Sequence, residues 1–193
     1  MEKVSTTINQ PPVVLVPLAQ GCEELEAITI TDLLTRAGIK VVTAGLDKNI
    51  VTASRGMKLV PDNRLDDVLD VDFDMIVLPG GLPGADHLNS DPRIQTLVKK
   101  LAINNKYTAA ICAAPRVLAT AGLLEDKRAT SFPGALDQFP VKNLSYEEAA
   151  VVVDGKVITS RGPGTAMDFS LTLIELLCGR DKRDEVEAQL QRV

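Results

Sequence analysis

Apolar residues along this chain fall into two alternating patterns. Short β-branched and aliphatic runs, Val13–Leu18 (VVLVPL), 40–44 (KVVTA), 74–78 (DMIVL) and Tyr107–Ile111 (YTAAI), read as strands buried on both faces. Between them lie longer segments with apolar residues at helical spacing. In 24–37 that spacing runs through Leu25, Ile28, Leu33 and Leu34, and Gly38 follows as a stop. Asp91 stands ready to cap a helix with Pro92 at its first position, running to about Asn104. Further helices are predicted over 115–121 and 164–177, with a polar amphipathic one over 181–193. Segments 151–153 and 157–159, joined by Asp154-Gly155-Lys156, read as a peripheral hairpin.

Such alternation predicts an α/β fold, a mostly parallel sheet covered by helices on both faces. Ligands of these sheets collect at the carboxyl ends of the strands. The loop after Leu18, the Gly80-Gly81 turn and Cys112 therefore belong on one edge. Neither a repeat nor a linker interrupts the pattern, so one domain is expected over 13–193, after a flexible leader, 1–12, ending at Pro11-Pro12.

Composition narrows the function classes. A chain of 193 residues, 45% hydrophobic, is long enough for one sizeable core. The net charge of −5 comes without a Lys/Arg run, which argues against a nucleic-acid partner. No apolar stretch approaches the ~20 residues of a membrane span, and the leader has no apolar signal segment. A cytoplasmic protein is expected. The three cysteines, Cys22, Cys112 and Cys178, are far apart and form no CxxC pair, and His87 is the sole histidine. That pattern supports neither a disulfide framework nor a metal site, and no cofactor is expected. Any Cys–His pair would have to use His87.

The sharpest signal is 107–116, where a strand of small and β-branched residues meets a helix opening at Pro115, with Cys112 at the junction. A nucleophile on such a turn needs small residues two positions either side, and Ala110 and Ala114 occupy those places. Free N–H groups at the following helix start would lower the thiol pKa. A buried structural cysteine is the competing reading. Leu78-Pro79-Gly80-Gly81 offers backbone N–H groups to a cleft, as an oxyanion hole requires, although a GG pair is also an ordinary turn. In Gly21-Cys22-Glu23-Glu24-Leu25-Glu26, Glu23 and Glu24 read as solvated partners of the helix dipole, and Glu26 could face the cleft.

In this order the signals resemble the ThiJ/PfpI superfamily, closest to its parkinsonism-associated deglycase (DJ-one) and bacterial YajL-like branch. The resemblance rests on 21–26 with 36–41, Leu78-Pro-Gly-Gly81 with Gly84-Ala85, 109–113, and Ser160-Arg-Gly-Pro-Gly-Thr165, spanning about 13–179. It implies a homodimer of flavodoxin-like domains with a nucleophile-elbow cysteine. Cys112 matches the oxidisable nucleophile and Glu26 its partner carboxylic acid. Gly80, Gly81 and Ala113 match backbone donors, and Arg55 an arginine that reaches the site across the dimer. Phe132 stands where animal members carry a histidine. The residue after the cysteine is Ala113, where PfpI-type peptidases have histidine, and the His-x-Glu of class I glutaminases is absent. A Cys/Glu site survives these departures. In it a lowered Cys112 pKa and a raised Glu26 pKa are expected, because adjacent carboxylate and thiolate cannot both ionise freely.

Three functions follow from the resemblance. The first is a cysteine-dependent stress-response enzyme acting on reactive aldehydes, of the glyoxalase III or protein-deglycase kind, with a small aldehyde or a glycated protein as substrate. The second is a peroxide-responsive redox sensor or chaperone using the same cysteine. The third is an inactive binding scaffold.

Overall fold

The computed structural model describes residues 10–47 and 50–192. Residues 1–9 of the expected leader, and Val193 of the expected last helix, lie outside them. In chain order the elements are β1 (Val13–Leu18), α1 (Glu24–Arg36), β2 (Lys40–Gly45), β3 (Val51–Thr52), β4 (Lys58–Leu59), β5 (Asn63–Arg64), β6 (Met75–Leu78), α2 (Gly84–Ser90), α3 (Pro92–Ile103), β7 (Tyr107–Ile111), α4 (Pro115–Thr120), β8 (Arg128–Ala129), β9 (Ser145–Tyr146), β10 (Val151–Asp154), β11 (Val157–Ser160), α5 (Ala166–Cys178) and α6 (Arg180–Gln189). Seven strands form the main sheet in the order β10-β11-β7-β6-β1-β2-β5. All neighbours run parallel except β10 and β11.

Alternation along each strand divides the core between the two faces. In β1, Val14, Val16 and Leu18 point to one side and Leu15 to the other. In β6, Met75 and Val77 oppose Ile76 and Leu78 in the same way. Helices α1, α5 and α6 pack together over the first face, and α2, α3 and α4 over the second. The expected α/β architecture is thus the observed one.

Two expectations need correction. The segment read as a peripheral hairpin is peripheral only at β10. β11 lies inside the sheet, all four residues buried, and pairs in parallel with β7 from Val157↔Thr108 to Ser160↔Ile111. The helix expected from Gly164 starts at Ala166, because 163–165 form one 3-10 turn first. Asp91 caps α3 as expected, accepting the Arg93 N–H at 2.8 Å.

The register brings the strand ends level. Leu78 pairs with Ala110 and Ile111 with Ser160, so the segments after β6, β7 and β11 emerge side by side.

Candidate active site

β7 ends at Ile111, and Cys112 turns the chain toward α4 with φ 62. That left-handed conformation costs a non-glycine residue about 1–3 kcal/mol and persists only where its surroundings hold it in place. Here they do. The Cys112 N–H donates to the Ser160 carbonyl at 2.9 Å, and its carbonyl accepts the Phe132 N–H at 2.8 Å. Ala110 and Ala114 are fully buried, in keeping with the small flanks that the turn demands.

Glu26 lies in the first turn of α1 and is completely buried. Its Oε2 accepts the Gly80 N–H at 2.7 Å. Oε1 is sealed from solvent without a well-formed hydrogen bond among the described residues. The Cys112 thiol also bears on this carboxyl, and so does the nearby charge of Glu23. Burial pushes Glu26 up to about 7, opposed by the Gly80 amide and the thiol. The expected rise in Glu26 is therefore present.

The expected fall in Cys112 is not. Burial first, and the Glu26 charge second, push the thiol up to about 12. The amides of Gly81 and Ala113 pull downward, the direction expected of them, and are outweighed. The two groups titrate as a pair. The first proton leaves near 7, and the second is held until about 12.

Gly80 also differs from its expected role as a donor to the cleft. Its N–H is committed to Glu26, and its carbonyl accepts the Glu23 N–H at 2.9 Å. A Cβ there would stand 2.6 Å from Cys112 Cβ and 2.9 Å from Glu26 Oε2. Space, rather than backbone freedom, requires glycine. The donors that bear on the sulfur are the N–H groups of Gly81 and Ala113. Gly81 and Gly84 press against the backbone of 21–23: a Cβ at either would come within 2.5 Å of the Glu23 or Cys22 nitrogen. The loops after β1 and β6 thus meet backbone to backbone.

A cavity of about 450 Å³ opens over Cys112, bordered by Gly81, Ala113, Arg55, Arg116 and Phe132. Phe132 is half exposed. Arg55, expected to act across a dimer, borders the cavity of its own chain. Its position comes from Glu24, which accepts the amides of Arg55 at 2.9 Å and Met57 at 3.4 Å, and the Ser54 hydroxyl at 3.0 Å. Glu23 accepts the same hydroxyl at 2.8 Å. Both carboxyls are buried clamps rather than solvated dipole partners. Burial works against Glu24's charge, but these amides and the hydroxyl outweigh it and hold its pKa below the usual range.

Other predicted residues lie elsewhere. His87 is exposed on α2 with Nδ1 2.9 Å from the Gln20 carbonyl, and borders a separate cavity. Cys22 is fully buried, and burial pushes its thiol up to about 12. Cys178 ends α5, half-buried. The sequence reading missed Ser160 as the anchor of the Cys112 amide. It also missed Gly162, where a Cβ would lie 4.0 Å from Cys112 Sγ, and Arg116, whose charge directly after Pro115 was a usable signal. A larger cavity, about 540 Å³, lies at the opposite end of the sheet. Its cations are already engaged: Lys106 with Asp74 at 2.8 Å, and Lys156 over the Tyr107 ring at 3.7 Å. Among the described residues, no group of three His, Cys, Asp or Glu side chains is placed to hold a metal, and no helix is long and apolar enough to cross a membrane.

Comparison with known proteins places the chain. The model of the DJ-1/PfpI family matches residues 13–176. Protein DJ-1 homolog A of Arabidopsis thaliana is 44% identical over 179 residues, 92% of this chain but 46% of that protein, so the chain spans less than half of its length. A Caenorhabditis elegans protein named glutathione-independent glyoxalase DJR-1.2 is 36% identical over 167 residues, 86% of this chain and 89% of that one. The crystal structure of Drosophila melanogaster DJ-1beta superposes with a TM-score of 0.90 at 42% identity, covering 95% of this chain and 99% of that chain.

Proposed function

The chain belongs to the DJ-1/PfpI family, and we propose that it is a cysteine-dependent enzyme acting on reactive aldehydes, in the manner of a glutathione-independent glyoxalase or a protein deglycase. The observation that carries this reading is the buried Glu26 carboxyl beside Cys112, with the Gly81 and Ala113 amides bearing on the same sulfur. The name of the Caenorhabditis elegans relative, a glutathione-independent glyoxalase, supports the same class of substrate.

Above the first titration of the pair, one proton is shared by Glu26 and Cys112. When Glu26 holds it, the thiolate adds to the aldehyde carbon of a 2-oxoaldehyde and forms a hemithioacetal. The Gly81 and Ala113 N–H groups hold its oxygen. Glu26 gives its proton to that oxygen and, now a carboxylate, takes the proton from the former aldehyde carbon and returns it to the neighbouring carbon, while the hydroxyl proton passes to the neighbouring oxygen, leaving a thioester of a 2-hydroxy acid. Water releases the acid and regenerates the thiol. A glycated side chain in place of the free aldehyde would use the same groups. The three free thiols fit a reducing, cytoplasmic setting. A homodimer is proposed through the exposed Leu25 and Ile28, one turn apart on α1, together with the exposed Met57, whose N–H donates to Glu24 of the same helix.

The test is methylglyoxal consumption with product identification for wild type, Cys112→Ser and Glu26→Gln. Turnover to lactate that both substitutions abolish is expected. Loss of a single equivalent, insensitive to Glu26→Gln, would leave simple thiol trapping and end the enzyme reading.

A redox role has its own support in the buried Glu26 carboxyl, on which the Cys112 thiol bears and whose Oε1 is sealed without a well-formed hydrogen bond among the described residues. A protonated carboxyl there could donate to an oxygen added to sulfur. Peroxide titration read by intact mass would favour this role if two oxygens add at Cys112 before Cys22 or Cys178 changes.

A further inference from the structure

Arg116 has a place in the cavity that the chemistry at Cys112 leaves unused. Pro115 opens α4, and this sets Arg116 in its first turn, four residues after the cysteine. Three contacts fix the guanidinium. Nε donates to the Ala113 carbonyl at 3.0 Å, Nη1 pairs with Asp86, and the group lies 5.3 Å from the Phe139 ring centroid. The side chain is only 13% exposed, against 53% for Asp86, so solvent screens much of the compensating charge. Nη2 makes no hydrogen bond among the described residues, yet it is not one of the sealed, unpartnered atoms, so a ligand can reach it. An oriented guanidinium with donors to spare suits a planar anion.

The charges around the cavity point the same way. Arg55 borders it and makes no ion pair among the described residues. The one carboxylate on the lining, Glu23, is bonded to Ser54. Two cations therefore face one anion outside the Cys112–Glu26 pair.

We propose that Arg116 is a specificity-determining residue, selecting 2-oxoaldehydes whose far end carries a carboxylate. This rests on the aldehyde reading and names its substrate class. A suitable probe is 4,5-dioxopentanoate, OHC–CO–CH2–CH2–COO−. Water adds, the aldehyde carbon is oxidised to a carboxylate, the ketone carbon is reduced to an alcohol, and one proton is released with 2-hydroxyglutarate. The redox change is internal, so no cofactor enters the balance. The terminal carboxylate meets the guanidinium while the aldehyde meets Cys112.

The experiment compares kcat/KM for 4,5-dioxopentanoate and methylglyoxal in wild type, Arg116→Met, Arg116→Lys and Asp86→Asn. Taking the ratio within each preparation cancels differences in folded fraction. The wild-type ratio should favour the carboxylate substrate about tenfold, a difference one charge-assisted hydrogen bond can supply. Arg116→Met should erase the preference mainly through KM, Arg116→Lys should restore part of it, and Asp86→Asn should raise it. An unchanged ratio in Arg116→Met, with methylglyoxal still consumed by wild type, would overturn the proposal and leave the enzyme reading standing. If wild type consumes neither compound, the enzyme reading falls, and binding decides this one. 2-Hydroxyglutarate should then slow Cys112 alkylation by iodoacetamide more than lactate does, and less so in Arg116→Met. Equal protection by the two acids would overturn it.

Discussion

The Gly80 amide donates to Glu26 Oε2 at 2.7 Å, and this same glycine leaves no room for a side chain between that carboxyl and Cys112. One residue without a side chain thus both orients the carboxyl and keeps the space in which it faces the sulfur. The arrangement makes the two reactive groups depend on a backbone position as much as on each other.

Gly80→Ala should therefore damage the site although Cys112 and Glu26 themselves are unchanged. The added carbon would meet Cys112 Cβ at 2.6 Å and the Ile111 carbonyl at 2.9 Å, and neither can move freely. Overpacking of this kind costs about 1–3 kcal/mol. Thermal melts should show that loss, together with a fall in methylglyoxal consumption of about a hundredfold if a misplacement of about 1 Å results.

The coupled titration predicts an unusual pH profile for Cys112. Both protons are held below about 7, and one leaves there whichever group keeps the other. The fraction with thiolate on sulfur rises with that first step. Alkylation of Cys112 should accelerate through pH 7, level off, and rise again toward 12. Glu26→Gln should remove the lower step. A single rise at the free-thiol value of about 8.5 in wild type would contradict the coupling.

Stability should follow pH in a definite direction. The Glu26 carboxyl moves from 4.5 to about 7 on folding, so the folded chain binds more protons than the unfolded one between those values. The stability associated with its protonated form is fully present below 4.5 and is lost as pH rises through 7. A shift of this size corresponds to about 3 kcal/mol. Denaturant unfolding at pH 4.5 and 8 should show wild type losing that amount relative to Glu26→Gln, which has no proton to lose. Parallel curves for the two proteins would refute the assignment.

Glu24→Ala should unfasten the segment that positions Arg55. Three donors, the amides of Arg55 and Met57 and the Ser54 hydroxyl, lose a charged acceptor. Hydrogen exchange should speed up over 54–57 before any other part of the site, with a global cost of about 2 kcal/mol. Uniform acceleration across the chain would instead mean a general loss of stability.

Much of the fold was legible because its strands and helices announce themselves locally. β1 and β7 matched their predicted bounds, and Asp91-Pro92 marked the start of α3. What escaped depends on partners far along the chain. β11 looked peripheral because its pairing with β10 is local, whereas its pairing with β7 joins residues about fifty positions apart. Glu23 and Glu24 looked solvated because their partners arrive thirty residues later. The α2 helix went unread since its seven residues start at Gly84 without a side-chain cap. Cys112, Glu26, Gly81 and Ala113 were named in the sequence; the direction of the thiol's shift required knowing how deeply the pair is buried.

The backbone crossing of 21–23 with 80–84 divides the pocket into two unlike walls. Along the inner wall main chain meets main chain at Gly80, Gly81 and Gly84, where even a Cβ would collide with its neighbours. The outer wall, Phe132 to Ala135 with Arg55 and Arg116, is made of side chains that can be exchanged one at a time. A lineage built on this frame can change its diet by altering the outer wall, while the reactive corner stays as it was inherited.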